Sequence, residues 1–203
     1  GTAQMLELVC KEGENHYKPS FTIMGFRYAK VETDIDLTGA EFTAHAVYSE
    51  MPVTGSFGCG NAHVDQLVKN SVWSQKSNFC DIPTDCPTRE RAGWTGDMGV
   101  FIETGLTLMD CYPVVEKWLA ECRLNQYPDG RMANIAPPTS RPGYMTPMLC
   151  MSAGWGDAAI LVPYALYKRT GDRKILADNY QMMQKWYAFL LGRAQQTTEE
   201  QQT

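Results

Sequence analysis

The hydrophobic period of the chain changes between Pro52 and Gly55, and that switch limits the folds open to it. Upstream, apolar and aromatic residues alternate. Leu6, Leu8 and Cys10 share one parity, as do Phe21 and Ile23, Phe26 and Tyr28, and then Phe42, Ala44, Ala46 and Tyr48. A period of two with aromatic residues predicts strands, and Gly13-Glu14-Asn15 and Thr38-Gly39 read as turns. Three or four strands are too few to bury both faces of a sandwich. Residues 1–55 are therefore read as the C-terminal part of a β-sandwich domain.

Downstream the period becomes helical. Asn61 is suited to cap a helix that uses Val64, Leu67, Val68 and Val72. A second helix is expected over Val100–Leu108, and a third on the stripe Val114, Val115, Trp118, Leu119 and Cys122. A fourth runs from about Asp157 to Arg169 and stops at Gly171, a residue fitted to the left-handed position after a helix. A fifth uses Ile175, Leu176, Met183, Trp186, Tyr187, Leu190 and Leu191. Residues 56–194 thus form a mainly α domain, and the polar stretch 195–203 reads as a disordered tail.

Two long irregular stretches, Cys80–Gly99 and Tyr127–Gly156, interrupt these helices. Loops of that length inside a domain are usually functional. Pro83, Pro87, Pro128, Pro137, Pro138, Pro142 and Pro147 stiffen them, with Gly130 and Gly143 giving local slack. Stiff loops on a helical frame are suited to wall a pocket.

The first stretch concentrates the ingredients of a sugar site. Between Asp81 and Asp97 it holds Asp85, Glu90, Arg89, Arg91 and the aromatic plate of Trp94, with Gly93 and Gly96 permitting close backbone approach. Sugars need dense hydroxyl recognition and a flat apolar surface, and glycoside hydrolysis needs one carboxylic acid to protonate the leaving oxygen. Glu90 lies between two arginines. If Arg89 and Arg91 pair with Asp85 and Asp97, the remaining like charges raise the Glu90 pKa and keep it able to donate. The same composition also fits a solvated loop whose charges merely pair with one another. A metal site is disfavoured, because His16, His45 and His63 lie outside the segment and carboxylates alone would suit Ca²⁺ or Mg²⁺. A thiol nucleophile at Cys86 has no neighbouring His in sequence to activate it.

Composition narrows the partners. With a net charge of −5, a pI near 5.2 and no basic stripe, nucleic acid is not an expected ligand. No apolar run reaches membrane-spanning length, and Gly1-Thr2-Ala3-Gln4 does not open a signal peptide. Seven Cys without CxxC spacing read as buried reduced thiols, not a disulfide framework or zinc site. That pattern fits a reducing, cytoplasmic compartment but leaves export open, since residues are expected upstream of Gly1.

The string Ile82-Pro-Thr-Asp-Cys-Pro-Thr-Arg-Glu-Arg-Ala-Gly-Trp-Thr-Gly-Asp97 resembles the signature of the bacterial α-L-rhamnosidases of glycoside hydrolase family 78. Pro19–Tyr28 is similar to a strand motif of that family's β-domain, and Gly154–Ala158 and Tyr167–Asp172 are similar to later motifs of its barrel. The resemblance covers nearly all of residues 17–192. It implies an (α/α)6 toroid preceded by β-sandwich domains, and inverting hydrolysis of terminal α-L-rhamnosides without a cofactor or metal. It also implies that Glu90 is the general acid, that Asp85, Arg89, Trp94 and Asp97 line the rhamnose subsite, and that Trp155 forms another wall. Asp157 is a weaker correspondence.

Inversion needs a second carboxylate to activate water. The resemblance places it late in the toroid, whereas the stretch after Ser56 accommodates only about five helices. The chain is therefore expected to hold a partial toroid with the acid half-site, to lack turnover by itself, and to expose apolar helix faces that promote association into homo-oligomers. Glu103, Glu116 and Glu121 fall on predicted helices and read as exposed or paired carboxylates. A non-catalytic carbohydrate-binding module, or a purely structural segment, would use the same residues.

Overall fold

Helices carry the architecture in the computed structural model, which describes residues 4–138 and 150–196. Their order is α1 (Ala62–Asn78), α2 (Thr95–Leu108), α3 (Tyr112–Leu124), the single turn α4 (Ala153–Gly156), α5 (Ala158–Thr170) and α6 (Arg173–Gln196). Between α1 and α2 lies a minimal antiparallel hairpin of β1 (Phe79–Cys80) and β2 (Ile82–Pro83). Asp81 turns it with φ +70, a left-handed conformation that Asp tolerates better than most side chains.

The helix boundaries follow local chemistry. The Asn61 side chain accepts the amides of His63 and Val64, at 3.0 and 3.5 Å, and starts α1 as expected. Every residue of the predicted α3 stripe is buried. Pro113 stands in the first turn of α3, where its missing N–H costs nothing. Gly171 ends α5 with φ +73. α2 begins five residues before the expected Val100. Its first turn has no side-chain cap, but the Asn134 carbonyl accepts the Thr95 amide at 2.8 Å. A loop from elsewhere in the chain therefore satisfies a donor that a cap residue usually serves.

α2 packs on α5, α5 on α6, and α3 against β2, α5 and α6. Trp118, Leu119, Val115, Ile102, Leu166, Ile175 and Trp186 form the centre of this core. Polar ties fix the register. Arg123 Nη1 donates to Asn179 Oδ1 at 2.7 Å, and Gln126 Nε2 to the Met182 carbonyl at 3.0 Å, joining α3 and its following loop to α6. α1 stands at the edge. Gln75 is its only buried residue, while Val64, Leu67 and Trp73 are exposed. Of the predicted α1 stripe, Val72 packs against the core, and Gln75, which the stripe did not include, donates to the Gly105 carbonyl at 3.2 Å.

The first fifty residues depart from expectation. Among the described residues 4–50 the chain has no regular secondary structure and forms no ladder. Leu6, Leu8, Phe21, Ile23, Phe26, Tyr28, Phe42 and Tyr48 are exposed. Alternation sets which side chains share a face, but a strand also needs a partner for its backbone groups, and none of these segments pairs with another. Pro142, Gly143 and Pro147 of the second irregular stretch, and 197–203 of the expected tail, lie outside the described residues, whereas Gln195 and Gln196 close α6.

Candidate active site

The loop from Thr84 to Trp94 is tied at its neck. The Asp85 amide donates to the Ala92 carbonyl at 3.1 Å, and the Asp85 carboxylate accepts the Ala92 amide at 3.1 Å. Inside that clamp, Cys86 Sγ accepts the Glu90 amide at 3.2 Å. Asp85 thus spends one carboxylate oxygen on closing the loop, a role that its residue type alone did not reveal. At the base of the loop, Asp81 pairs with Lys117 at 2.5 Å.

The second irregular stretch locks onto the first. The Ala136 amide donates to the Gly93 carbonyl at 2.9 Å, and Trp118 Nε1 donates to the Ala136 carbonyl at 2.8 Å. The approach requires glycine, since a Cβ at Gly93 would lie 2.1 Å from the Ala136 oxygen. Gly96 has the same character on the other side, where a Cβ would come within 2.8 Å of the Trp155 ring. The Trp155 indole therefore lies against the first turn of α2.

An open cleft of about 640 Å³ lies beside these contacts. Asp85, Trp94, Asp97 and Trp155 are among its walls. Glu90 is not itself a wall residue, but Trp94 Nε1 donates to its Oε2 at 3.0 Å, so the carboxylate is coupled to the wall through the indole. The Glu90 side chain is only 16% exposed, whereas Arg89, which ion-pairs with it, is 74% exposed. The arginines do not take the expected partners. Arg89 pairs with Glu90 itself, and Arg91 turns away so that its Nη1 donates to the Ile23 carbonyl at 2.8 Å. Neighbours in an irregular loop point in unrelated directions, which sequence order does not encode.

The titration of Asp97 is perturbed. Burial holds its carboxyl above the usual carboxylate range, a hydrogen bond with its own backbone N–H offsets part of that, and the negative charges of Asp85 and Glu90 push it further up. Asp157 accepts Trp186 Nε1 at 3.1 Å and does not line the cleft. Among the described residues, no group of three or more His, Cys, Asp or Glu is arranged to hold a metal ion. No described helix is long and apolar enough to cross a membrane. Burial of the cysteines is mixed: Cys111, Cys122 and Cys150 are buried, while Cys10 and Cys59 are exposed, against the expectation of buried thiols. Sequence reading also missed Gln75, Asn78 and Phe101 as cleft residues. Gln75 was detectable as a polar residue on the same helical face as Val68 and Val72.

The profile described as the bacterial alpha-L-rhamnosidase 6 hairpin glycosidase domain matches residues 52–203. This chain belongs to that rhamnosidase family. An alpha-L-rhamnosidase of Formosa agariphila is 39% identical over 185 residues, covering 89% of this chain and 19% of its own length. One from Streptomyces avermitilis is 36% identical, covering 88% of this chain and 17% of its own length. The crystal structure of Streptomyces avermitilis alpha-L-rhamnosidase complexed with L-rhamnose superposes with a TM-score of 0.67 at 36% identity, over 71% of this chain and 14% of that one. As a member of the six-hairpin rhamnosidases, the chain has a partial α/α toroid as its helical fold. It spans about a fifth of the length of the curated relatives it matches.

Proposed function

We propose that this chain supplies the proton-donating and sugar-gripping half of an inverting α-L-rhamnosidase site, with Glu90 as the general acid. Trp94, Asp97 and Trp155 hold the rhamnose ring, the free oxygen of Asp85 accepts a hydroxyl, and Arg89, whose ion pair with Glu90 favours the carboxylate form, must give up that contact for Glu90 to hold its proton. The observation that carries this reading is the placement of Glu90, largely removed from water and hydrogen-bonded to the indole that walls the cleft. A carboxyl group in that position can meet a glycosidic oxygen at the mouth of the cleft, as general acid catalysis requires. Trp94 and Trp155 offer flat apolar surface to sugar C–H groups and to the methyl group of a 6-deoxy sugar.

The general base of an inverting site stands roughly 6.5–9.5 Å from the acid. We assign it to the part of the relatives' length that this chain does not span, and so expect this chain to bind L-rhamnose without turning over an aryl α-L-rhamnoside. Calorimetric titration with L-rhamnose, run beside a hydrolysis assay, checks this. Robust hydrolysis by the chain alone would refute the half-site assignment, and absence of binding would refute the subsite. In an enzyme with the complete toroid, Glu90→Gln should lower kcat by about 10²–10⁴-fold while leaving rhamnose affinity nearly intact. Retained full turnover would remove Glu90 from the acid role.

A further inference from the structure

Ile23–Gly25 belongs to a motif that the proposed chemistry does not use, yet it is joined directly to the loop that carries Glu90. The Gly25 amide donates to the Pro87 carbonyl at 3.0 Å, and Arg91 Nη1 donates to the Ile23 carbonyl at 2.8 Å. The two segments are in close contact. A Cβ on Gly25 would lie 2.7 Å from Thr88 Cγ2 and 2.8 Å from the Pro87 oxygen. Burial tells the same story. Between residues 4 and 50 only Pro19, Met24, Gly25, Leu37 and Ser49 escape full exposure, and Met24 and Gly25 lie at this contact.

Arg91 shows what the contact does. Its φ is +52, a region disfavoured for any residue with a Cβ. Such backbone persists where its surroundings over-determine it. The guanidinium anchored on Ile23 is one determinant, and the Asp85–Ala92 clamp on the next residue is the other. Glu90 sits between the two anchored points, Pro87 and Arg91.

We infer that Ile23–Gly25 is a brace for the acid loop, and that Gly25 and Arg91 are positioning residues that hold Glu90 against Trp94. The link to catalysis rests on the reading of Glu90 as proton donor, whereas the brace itself does not. Arg91 on this view is a structural tether, not a sugar ligand, and Gly25 is required because its neighbour's backbone leaves no space for a side chain.

Hydrogen exchange in the 203-residue chain tests the brace. Gly25→Ala and Arg91→Ala should each speed exchange of the Glu90 and Ala92 amides and the Trp94 indole N–H by about tenfold, with α3 and α6 amides unchanged. Gly58→Ala, which meets no atom within 4 Å, is the control and should change nothing. Arg91→Gly relieves the backbone while removing the tether. If the tether is what matters, it behaves like Arg91→Ala. Should Gly25→Ala unfold the chain, α3 and α6 would lose protection as well, and the two Arg91 variants then decide. Unchanged exchange at all three sites overturns the brace. The catalytic link is read in an enzyme with the complete toroid, from kcat/KM on aryl rhamnosides with good and poor leaving groups. A misplaced acid should cost about a hundredfold on the poor leaving group and much less on the good one, in the brace variants as in Glu90→Gln. Equal losses on both substrates in the brace variants alone overturn the link. Equal losses in Glu90→Gln as well place the fault in the acid assignment, with the brace still judged by exchange.

Discussion

Asp97 stands in the first turn of α2, where burial and the charges of Asp85 and Glu90 hold its carboxyl above the usual range. A raised pKa means that the folded chain binds this proton more tightly than the unfolded chain does. Below the ordinary Asp value both states are protonated and the group is neutral in the balance. As pH rises through the raised value the native state loses stability relative to the unfolded one, until both are ionised. Asp97→Asn removes that loss. Its stability advantage over the parent should be near zero at about pH 3 and should open across the carboxylate range to a plateau. Urea denaturation at a series of pH values checks it, and a pH-independent difference would mean that Asp97 is not the strained group. The charged groups and Trp94 of this site were visible in the sequence, because carboxylates and arginines are dense between Asp81 and Asp97. Their pairing was not. Arg89 and Arg91 are separated by one residue, yet one meets Glu90 and the other reaches a carbonyl sixty-eight residues away in sequence.

Elements were legible where one amphipathic face decides them. α3 was read with its full stripe because all five apolar residues point at one core. The start of α2 was hidden because Gly96, Gly99 and Thr95 are poor helix formers, and the Asn134 carbonyl that supports them comes from another loop. α4 is a comparable case. It is a single turn that packs on α2 and α5 and also touches α6. The Trp186 ring lies where any side chain on Gly156 would go, since a Cβ there would come within 2.4 Å of it, and its indole N–H is taken by Asp157 at 3.1 Å. Trp186 is fully buried and stacks on Phe189 with ring centroids 5.7 Å apart. Trp186→Phe keeps the stack but removes the donor and part of the ring, leaving Asp157 without that partner. The expected cost is about 1–3 kcal/mol, read by chemical denaturation. On the proposed reading of the cleft it should also weaken rhamnose binding, because the turn that carries Trp155 has lost part of its support. A variant as stable as the parent would show that α4 is fixed from elsewhere.

The molecule as a whole divides into a helical body and a leading segment attached to it at few points. Residues 4–50 are joined to the body by the Gly25–Pro87 and Arg91–Ile23 hydrogen bonds, and again where the Ser49 amide donates to Phe79 and Ser49 Oγ accepts the Asp81 amide, both at 2.8 Å. Alternation in the sequence set this segment apart from the helices but gave no information about what its faces would pack against. Segments with exposed backbone and few buried contacts open at low free energy and are cut first by proteases. Trypsin at low dose should therefore cleave after Lys11, Arg27 and Lys30 before it cleaves after Lys117, Arg123 or Lys168 in the helices, while the Lys18–Pro19 bond resists. Mass spectrometry of the early fragments checks the order. The sites also differ in consequence. A cut after Lys11 leaves Ile23–Gly25 connected to the body, whereas a cut after Arg27 or Lys30 leaves it held only by its own hydrogen bonds. If those bonds suffice, the peptide stays bound to the body after cleavage and co-elutes with it on a sizing column. First cuts inside α3 or α5 would instead mean that the helical body, and not the leading segment, is the less stable part of the chain.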